Sequence, residues 1–373
     1  MSARRPLPRW ADVALLPALN LTLAFVIGGL VVAFIGENPL KAMQILIYGA
    51  FGYGEGVGYT LHFATDFVFT GLAVALAAHA GLFNIGGEGQ AYVGGLGAIL
   101  IALPLDNTHW LIVLPLAVIA SGAFGAAWGF IPGYLQAKRG SHVVITTIMF
   151  NFIAAALMVY LLNRVLKRPG QMAPESASVV AAGKIPQLRE FFPWFGYSPL
   201  NVTVFVAILA LIFFYVLIWR TEFGYKIRTV GHNPTAARYA GMSVTRITII
   251  VMMLSGALAG MMAVNEVLGV QQRLVLDFTS GYGFVGIAVA LMGRNHPIGI
   301  ALAAILFGAL YQGGQELAFE MPRVSRELIL VIQALVILFT GAMEDMFRPS
   351  LQSIFMALSP RKENGASTRQ TEG

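Results

Sequence analysis

Residues 107–137 read NTHWLIVLPLAVIASGAFGAAWGFIPGYLQA, without an Asp, Glu, Lys or Arg. A helix of about 20 apolar residues crosses about 30 Å of hydrocarbon, so this stretch can span a bilayer. Nine further charge-free segments follow the same pattern: 13–36, 67–87, 89–105, 140–163, 191–219, 247–265, 278–293, 295–315 and 328–343. In lipid the backbone must satisfy its own hydrogen bonds, which makes helices the default. The alternating ten-residue pattern of a β-barrel is not seen. Composition agrees: of 373 residues 57% are hydrophobic and 11% charged, where soluble domains carry about 25% charged residues. So few charges could not cover so much apolar surface in water. A soluble enzyme, a disordered chain and a collagen-like fibre are excluded. The expected architecture is all-α, a polytopic membrane protein of about ten transmembrane helices.

Charge gives the orientation. With both termini cytoplasmic, 15 of the 24 Lys and Arg fall on the cytoplasmic side, and five of the other nine lie in one external loop, 164–200. That bias follows the positive-inside tendency. The net charge of +6 is therefore read as membrane-facing loops, with no nucleic-acid partner and with membrane lipid as the surroundings. Residues 1–350 form the expected transmembrane domain, with a cytoplasmic loop at 220–246, and 351–373 form a polar tail that reads as disordered. The first apolar run is too long for a signal peptide, and Gly36-Glu37-Asn38-Pro39 is not a cleavage site, so it reads as an uncleaved span. The external loop carries five prolines and is expected to pack as a lid or as short interfacial helices. Cys is absent, which removes disulfides and thiolate chemistry. No two of the six His have zinc-helix spacing, so no metal site is expected.

Glycine interrupts the pattern in both halves. Gly81, Gly86, Gly87 and Gly89 surround Glu88, and Gly281, Gly283, Gly286 and Gly293 lie in a segment of only 16 residues, 278–293. Broken or short segments in both halves mark a central pathway in transporters. Gly125, Gly129 and Gly133, and Gly256 with Gly260, recur at intervals of four and are assigned to close helix packing.

The most informative stretch is the 220–246 loop. Asn233 suits an N-cap, Pro234 the first helical position and Gly241 the stop, which predicts a helix of about two turns. So short a helix needs a surface to dock on. Ala236, Ala237 and Ala240 form its small-residue face, with Arg238 and Tyr239 at the rim.

Gly231-His-Asn-Pro-Thr-Ala-Ala-Arg-Tyr-Ala-Gly241 resembles the coupling-helix loop of ABC-importer permeases. Gly81-Leu-Phe-Asn-Ile-Gly-Gly-Glu-Gly-Gln90 resembles the signature of their nucleoside and simple-sugar branch, which is related to the branched-chain amino acid and ribose permeases. Ser141-His-Val-Val-Ile-Thr-Thr-Ile-Met-Phe-Asn151 and Gly283-Phe-Val-Gly-Ile-Ala-Val-Ala-Leu-Met-Gly-Arg-Asn-His-Pro297 fit the same branch. In one departure, relatives often carry Glu where this chain has Val143. The resemblance implies a non-enzymatic pore subunit of the inner membrane. Its implied partners are an ABC ATPase, a second permease (the same or a related chain) and an external substrate-binding protein. No cofactor is expected in this chain, with ATP and Mg on the ATPase. No phosphate-cradling P-loop occurs here: the sole Gly-Lys pair, Gly183-Lys184, is followed by Ile185.

Asn84, Glu88 and Gln90 are the candidates for the substrate path or its cytoplasmic gate. The alternative for Glu88 is a carboxylate held by glycine N–H groups that pins a broken helix. Asn265 and Glu266, at the external end of the seventh span, are pathway candidates too. Asp66, read as lying near the external start of the second span, and Glu316 compete with ordinary interfacial charges. His79 and His296 read as satisfied boundary groups. An ion-coupled secondary transporter is the alternative function; it needs ionisable groups near the midplane, whereas these candidates cluster toward span ends. A membrane enzyme ranks last, because no metal cluster, G-x-S-x-G elbow or catalytic carboxylate pair is found.

Overall fold

The computed structural model describes Pro8, Ala11 and residues 15–168, 170–179, 183–339, 348–349 and 351–353. Most of the expected polar tail, from residue 354 on, lies outside these residues. Of the described residues 76% are helical. In order the helices are α1 (Leu16–Phe34), α2 (Pro39–Phe51), α3 (Gly54–His79), α4 (Gly87–Ala102), α5 (Trp110–Arg139), α6 (Val143–Arg164), α7 (Thr203–Arg220), α8 (Glu222–His232), α9 (Pro234–Tyr239), α10 (Val244–Ala263), α11 (Tyr282–Met292), α12 (Pro297–Glu320) and α13 (Arg326–Ile337). A π-helical turn, Val264–Gln271, prolongs α10.

Among the described residues six helices are long and apolar enough to cross a membrane: α3, α5, α6, α7, α10 with its extension, and α12. The protein is all-α and multi-pass. Segments 89–105, 278–293 and 328–343 do form helices, of 16, 11 and 12 residues. Two boundaries differ from the sequence reading. Residues 191–202 are not part of α7; after a 3-10 turn at Leu188–Glu190 they form a second at Pro193–Phe195 and a short approach to the helix. Helix α3 begins at Gly54, well before residue 67, because Glu55 and Asp66 are helical despite their charge.

Helix α3 is the axis of the molecule. It packs against α2, α7, α10, α11 and α12, and it is buried from Phe63 through Ala77. Its aromatic side carries Phe63 and Phe67 against Tyr282, Phe307 and Tyr311, mostly edge to face, with the Phe67 and Tyr311 centroids 5.0 Å apart. Such ring pairs add to simple area burial.

The α5–α10 pair is joined by glycine. A Cβ on Gly129 would sit 2.5 Å from the Met252 carbonyl, and one on Gly260 2.5 Å from the Ser121 carbonyl. Ser121 also donates to the Gly260 carbonyl. Backbones this close leave no room for a side chain, and close backbone approach is what holds helices together where lipid removes the hydrophobic incentive. The 164–200 loop packs onto this body through Val179, Ile185 and Leu188, all buried, and through the Arg273–Glu175 ion pair at 3.1 Å.

Candidate functional site

Two helices start in the interior of the bundle, and their N-termini meet. α4 begins at Gly87 after the non-helical turn 80–86, and α11 begins at Tyr282 after a run in which Asp277, Ser280 and Gly281 all have positive φ. Glu88, in the first turn of α4, reaches across to the start of α11. Its Oε1 accepts from Gly281 N at 2.9 Å and from the Thr279 hydroxyl; its Oε2 accepts from Gly283 N at 2.8 Å. A helix N-terminus offers unpaired N–H groups and a positive dipole end, and a carboxylate answers both. Gly283 has to be glycine, since a Cβ there would strike the Glu88 backbone. Glu88 is thus held by glycine N–H groups, and these come from the other half of the chain.

Asn84 and Gln90 fix the turn that precedes α4. Asn84 Nδ2 donates to Gln90 Oε1 at 2.9 Å and to Ser255 Oγ at 2.8 Å, and Asn84 Oδ1 accepts from Gly86 N at 2.8 Å. Ser255 in turn donates to the Ala73 carbonyl of α3 at 2.6 Å. Asn151 of α6 completes the brace: its Nδ2 donates to the Ile85 carbonyl and its Oδ1 accepts from Gly89 N, both at 2.9 Å. Asn151 was not singled out as a site residue, although it closes one of the motifs quoted above. An asparagine in an apolar helix signals an obligatory hydrogen-bond partner, but no sequence spacing names that partner.

Asn265 and Glu266 lie in the π-helical turn and are buried, and Asp66 is fully buried near the middle of α3. Asp66 therefore lies in mid-helix and not, as expected, at the start of a span, whereas Asn265 and Glu266 remain near the end of the Val244–Gln271 span; all three are buried, unlike interfacial charges. They join His62 in one cluster, bounded by Asn201 and Thr203. Glu316 of α12 accepts from the Tyr53 hydroxyl, and burial together with that carboxylate pushes the Tyr53 phenol up to about 12. His79 lies 3.0 Å from the Asn295 carbonyl and packs on Trp219, which also touches His296, so both imidazoles are engaged.

The 220–246 loop contains two helices where one was expected. α8 is a short amphipathic helix capped by the Thr221 side chain and closed by the Lys226–Glu222 pair at 2.7 Å; the ammonium keeps the Glu222 carboxyl below its usual range. α9 follows, with Asn233 Oδ1 accepting from Thr235 N and Ala236 N at 3.0 Å, Pro234 at the first position and Gly241 at φ +78°. The small-residue face divides, however. Ala237 is 0% exposed and packs into the protein's own core, while Ala236, Arg238 and Ala240 are exposed and Tyr239 is 91% exposed. Ala237 therefore anchors the helix, and the outward surface consists of its neighbours.

A physical path runs from this helix to Glu88. Gly231, at the end of α8, lies so close to His79 and Gly81 that a Cβ there would overlap the backbone at the end of α3. Gly81 opens the turn that Asn84 braces and that leads into α4. A cavity of about 290 Å³ sits beside this contact, lined in part by Gly81, Gln136, Gly231 and Arg238.

Residues 56–341 match the family described as branched-chain amino acid transport system, permease component. The chain is 37% identical over 333 residues to a guanosine ABC transporter permease protein of Bacillus subtilis, covering 88% of this chain and 93% of the relative. It is 34% identical to a nucleoside ABC transporter permease protein of Lactococcus lactis, covering 87% and 90% of the two chains. It is also 34% identical to a glucose ABC transporter permease protein of Haloferax volcanii, covering 91% and 90%.

Proposed function

The chain belongs to the permease-component family of branched-chain amino acid transport systems, and we propose on that premise that it moves nucleosides, or simple sugars, across the cytoplasmic membrane. It is a permease subunit of an ABC importer and a multi-pass membrane protein. The family implies association with an ATPase and a substrate-binding protein. On this reading ATP and Mg belong to the ATPase chain, a second permease (the same or a related chain) completes the pore, and both termini and the 220–246 loop are cytoplasmic. About ten crossings result if α1, α4, α11 and α13 cross as well.

The observation that carries the mechanism is the seating of the coupling segment. Ala237 is buried in the core and Gly231 touches the end of α3, so a force applied to α9 reaches the turn at Gly81 directly. That turn leads into α4, whose Glu88 holds the start of α11. Closure of the ATPase pair tips this connected unit, and the path between the half-helices opens to one side and then the other. The relatives' substrates are polar, and a pathway between half-helix ends offers such substrates backbone N–H groups and carbonyls. Within this scheme Glu88 positions the moving junction, Asn84 and Gln90 keep its turn rigid, and Asn265 and Glu266 belong to a separate buried cluster.

The test is Tyr239→Glu in the chain co-expressed with its ATPase and binding protein. Tyr239 is 91% exposed, so the fold survives. Truncating or charging a central aromatic anchor costs an interface about 2 kcal/mol or more, about thirtyfold in affinity. The expected outcome is a permease that inserts normally, loses the ATPase on purification and takes up no labelled nucleoside. Wild-type uptake by this variant refutes the docking role. Ala237→Glu is the less informative change, because it charges a core position.

A further inference from the structure

The transport reading makes no use of the His62, Asp66 and Glu266 cluster, and we propose that it is a proton-binding site, in which a single proton is shared between the two carboxyl groups beside a neutral imidazole. The three residues are 4%, 0% and 6% exposed. Asp66 is near the middle of the 26-residue α3, about 18 Å from its nearer end at about 1.5 Å per residue. Ionisable groups held this deep in a membrane domain are costly and mark function by default.

The hydrogen-bond pattern fixes the chemistry. Asn265 Oδ1 accepts from Asn201 Nδ2 at 2.9 Å, so Asn265 Nδ2 points the other way, donating to Asp66 Oδ1 at 2.9 Å and lying 3.1 Å from His62 Nδ1. Turning the amide over would set N–H against N–H on one side and oxygen against a carboxylate on the other. The amide orientation is therefore determined: Asn265 Nδ2 turns its hydrogens toward Asp66 Oδ1, His62 Nδ1 and, at 3.4 Å, the His62 carbonyl, an arrangement that suits a ring accepting at Nδ1. A ring that accepts at Nδ1 is neutral and carries its hydrogen on Nε2. Nε2 lies 3.0 Å from Glu266 Oε1 and 4.0 Å from Asp66 Oδ2.

Two consequences follow. A nitrogen that carries hydrogen is not a metal ligand, so this tautomer suits a proton rather than a metal ion, although the ligand atoms of the three side chains lie within 4.8 Å of one another. The cluster also holds two carboxylates and no cation. Among the described residues no Lys or Arg pairs with either one. The groups that α7 and its approach turn toward the cluster are the neutral Thr203 and Asn201, and the tyrosines of α11 and α12, Tyr282 and Tyr311, stand on Phe63 and Phe67 of α3. Asp66 Oδ2 is buried without a hydrogen-bond partner, and Glu266 Oε1 has the imidazole beside it but no aligned hydrogen bond. Two negative charges cannot share such a site; a proton between them removes one charge and supplies the missing donor. Because α3 supplies one carboxyl and the extension of α10 the other, losing the proton sets like charges against each other across that contact.

Infrared spectroscopy on the assembled transporter in nanodiscs tests this. The wild type should show a protonated-carboxyl stretch at neutral pH that shifts in heavy water and bleaches on alkalinisation, and Asp66→Asn and Glu266→Gln should each abolish that component. A wild-type spectrum with no acid-carboxyl band overturns the proposal without any variant. So does a band that survives both substitutions, or saturable Zn²⁺ binding to the wild type that Glu266→Gln removes.

Discussion

Two carboxylates inside one helical bundle, Glu88 part-buried and Asp66 fully buried, are kept in opposite ways. Glu88 has both oxygens engaged, by a threonine hydroxyl and two glycine N–H groups. Asp66, fully buried within the same bundle, has one oxygen bonded to Asn265 and the other bonded to nothing. The difference lies in the supply of donors. Glu88 faces a helix start, where N–H groups are unpaired by geometry. Asp66 faces another carboxylate in the body of two helices, where every backbone N–H is already used. A carboxylate of the first kind pins structure; one of the second kind is an open demand for a proton.

Stability measurements can break this contrast. Glu88→Ala should have the largest effect: it strands the Gly281 and Gly283 N–H groups, both in part-buried hydrogen bonds, and the buried Thr279 hydroxyl, at about 1–3 kcal/mol for each unsatisfied group, and thermal unfolding in nanodiscs should show a loss of about 3 kcal/mol or more. Asn84→Ala should come next, at about 2 kcal/mol, since it leaves Gln90 and Gly86 N short of partners and Ser255 Oγ short of a donor. Asp66→Asn should have the smallest effect, staying within about 1 kcal/mol of the wild type, because Glu266 keeps the single negative charge that the pair already held and the new amide N–H supplies the donor that the shared proton supplied. An Asp66→Asn variant as unstable as Glu88→Ala would erase the distinction.

Much of the transport machinery was legible from residue order. The break around Glu88, the glycine seam of α5 and α10 and the cap-to-stop spelling of α9 are local chemistry, carried by residues within a few positions of one another. The donors to Glu88 were legible as a kind of group, glycine N–H, but not as Gly281 and Gly283, which come from the other half of the chain. The α3 start was hidden because Glu55 and Asp66 interrupt the apolar run, and charge counting cannot distinguish a span end from a charge buried among partners. The amphipathic α8 was missed because the loop was read only for its capping residues. The small-residue face of α9 was read whole, whereas Ala237 turns inward and its neighbours outward.

Sequence alone determined that this chain is an all-helical membrane permease, because lipid leaves the backbone few ways to satisfy itself and because the coupling segment is written in consecutive residues. Only the tertiary structure decided which polar groups inside the membrane are saturated and which are left wanting. Hydrogen-bond partners that lie about two hundred positions apart meet only when the helices pack.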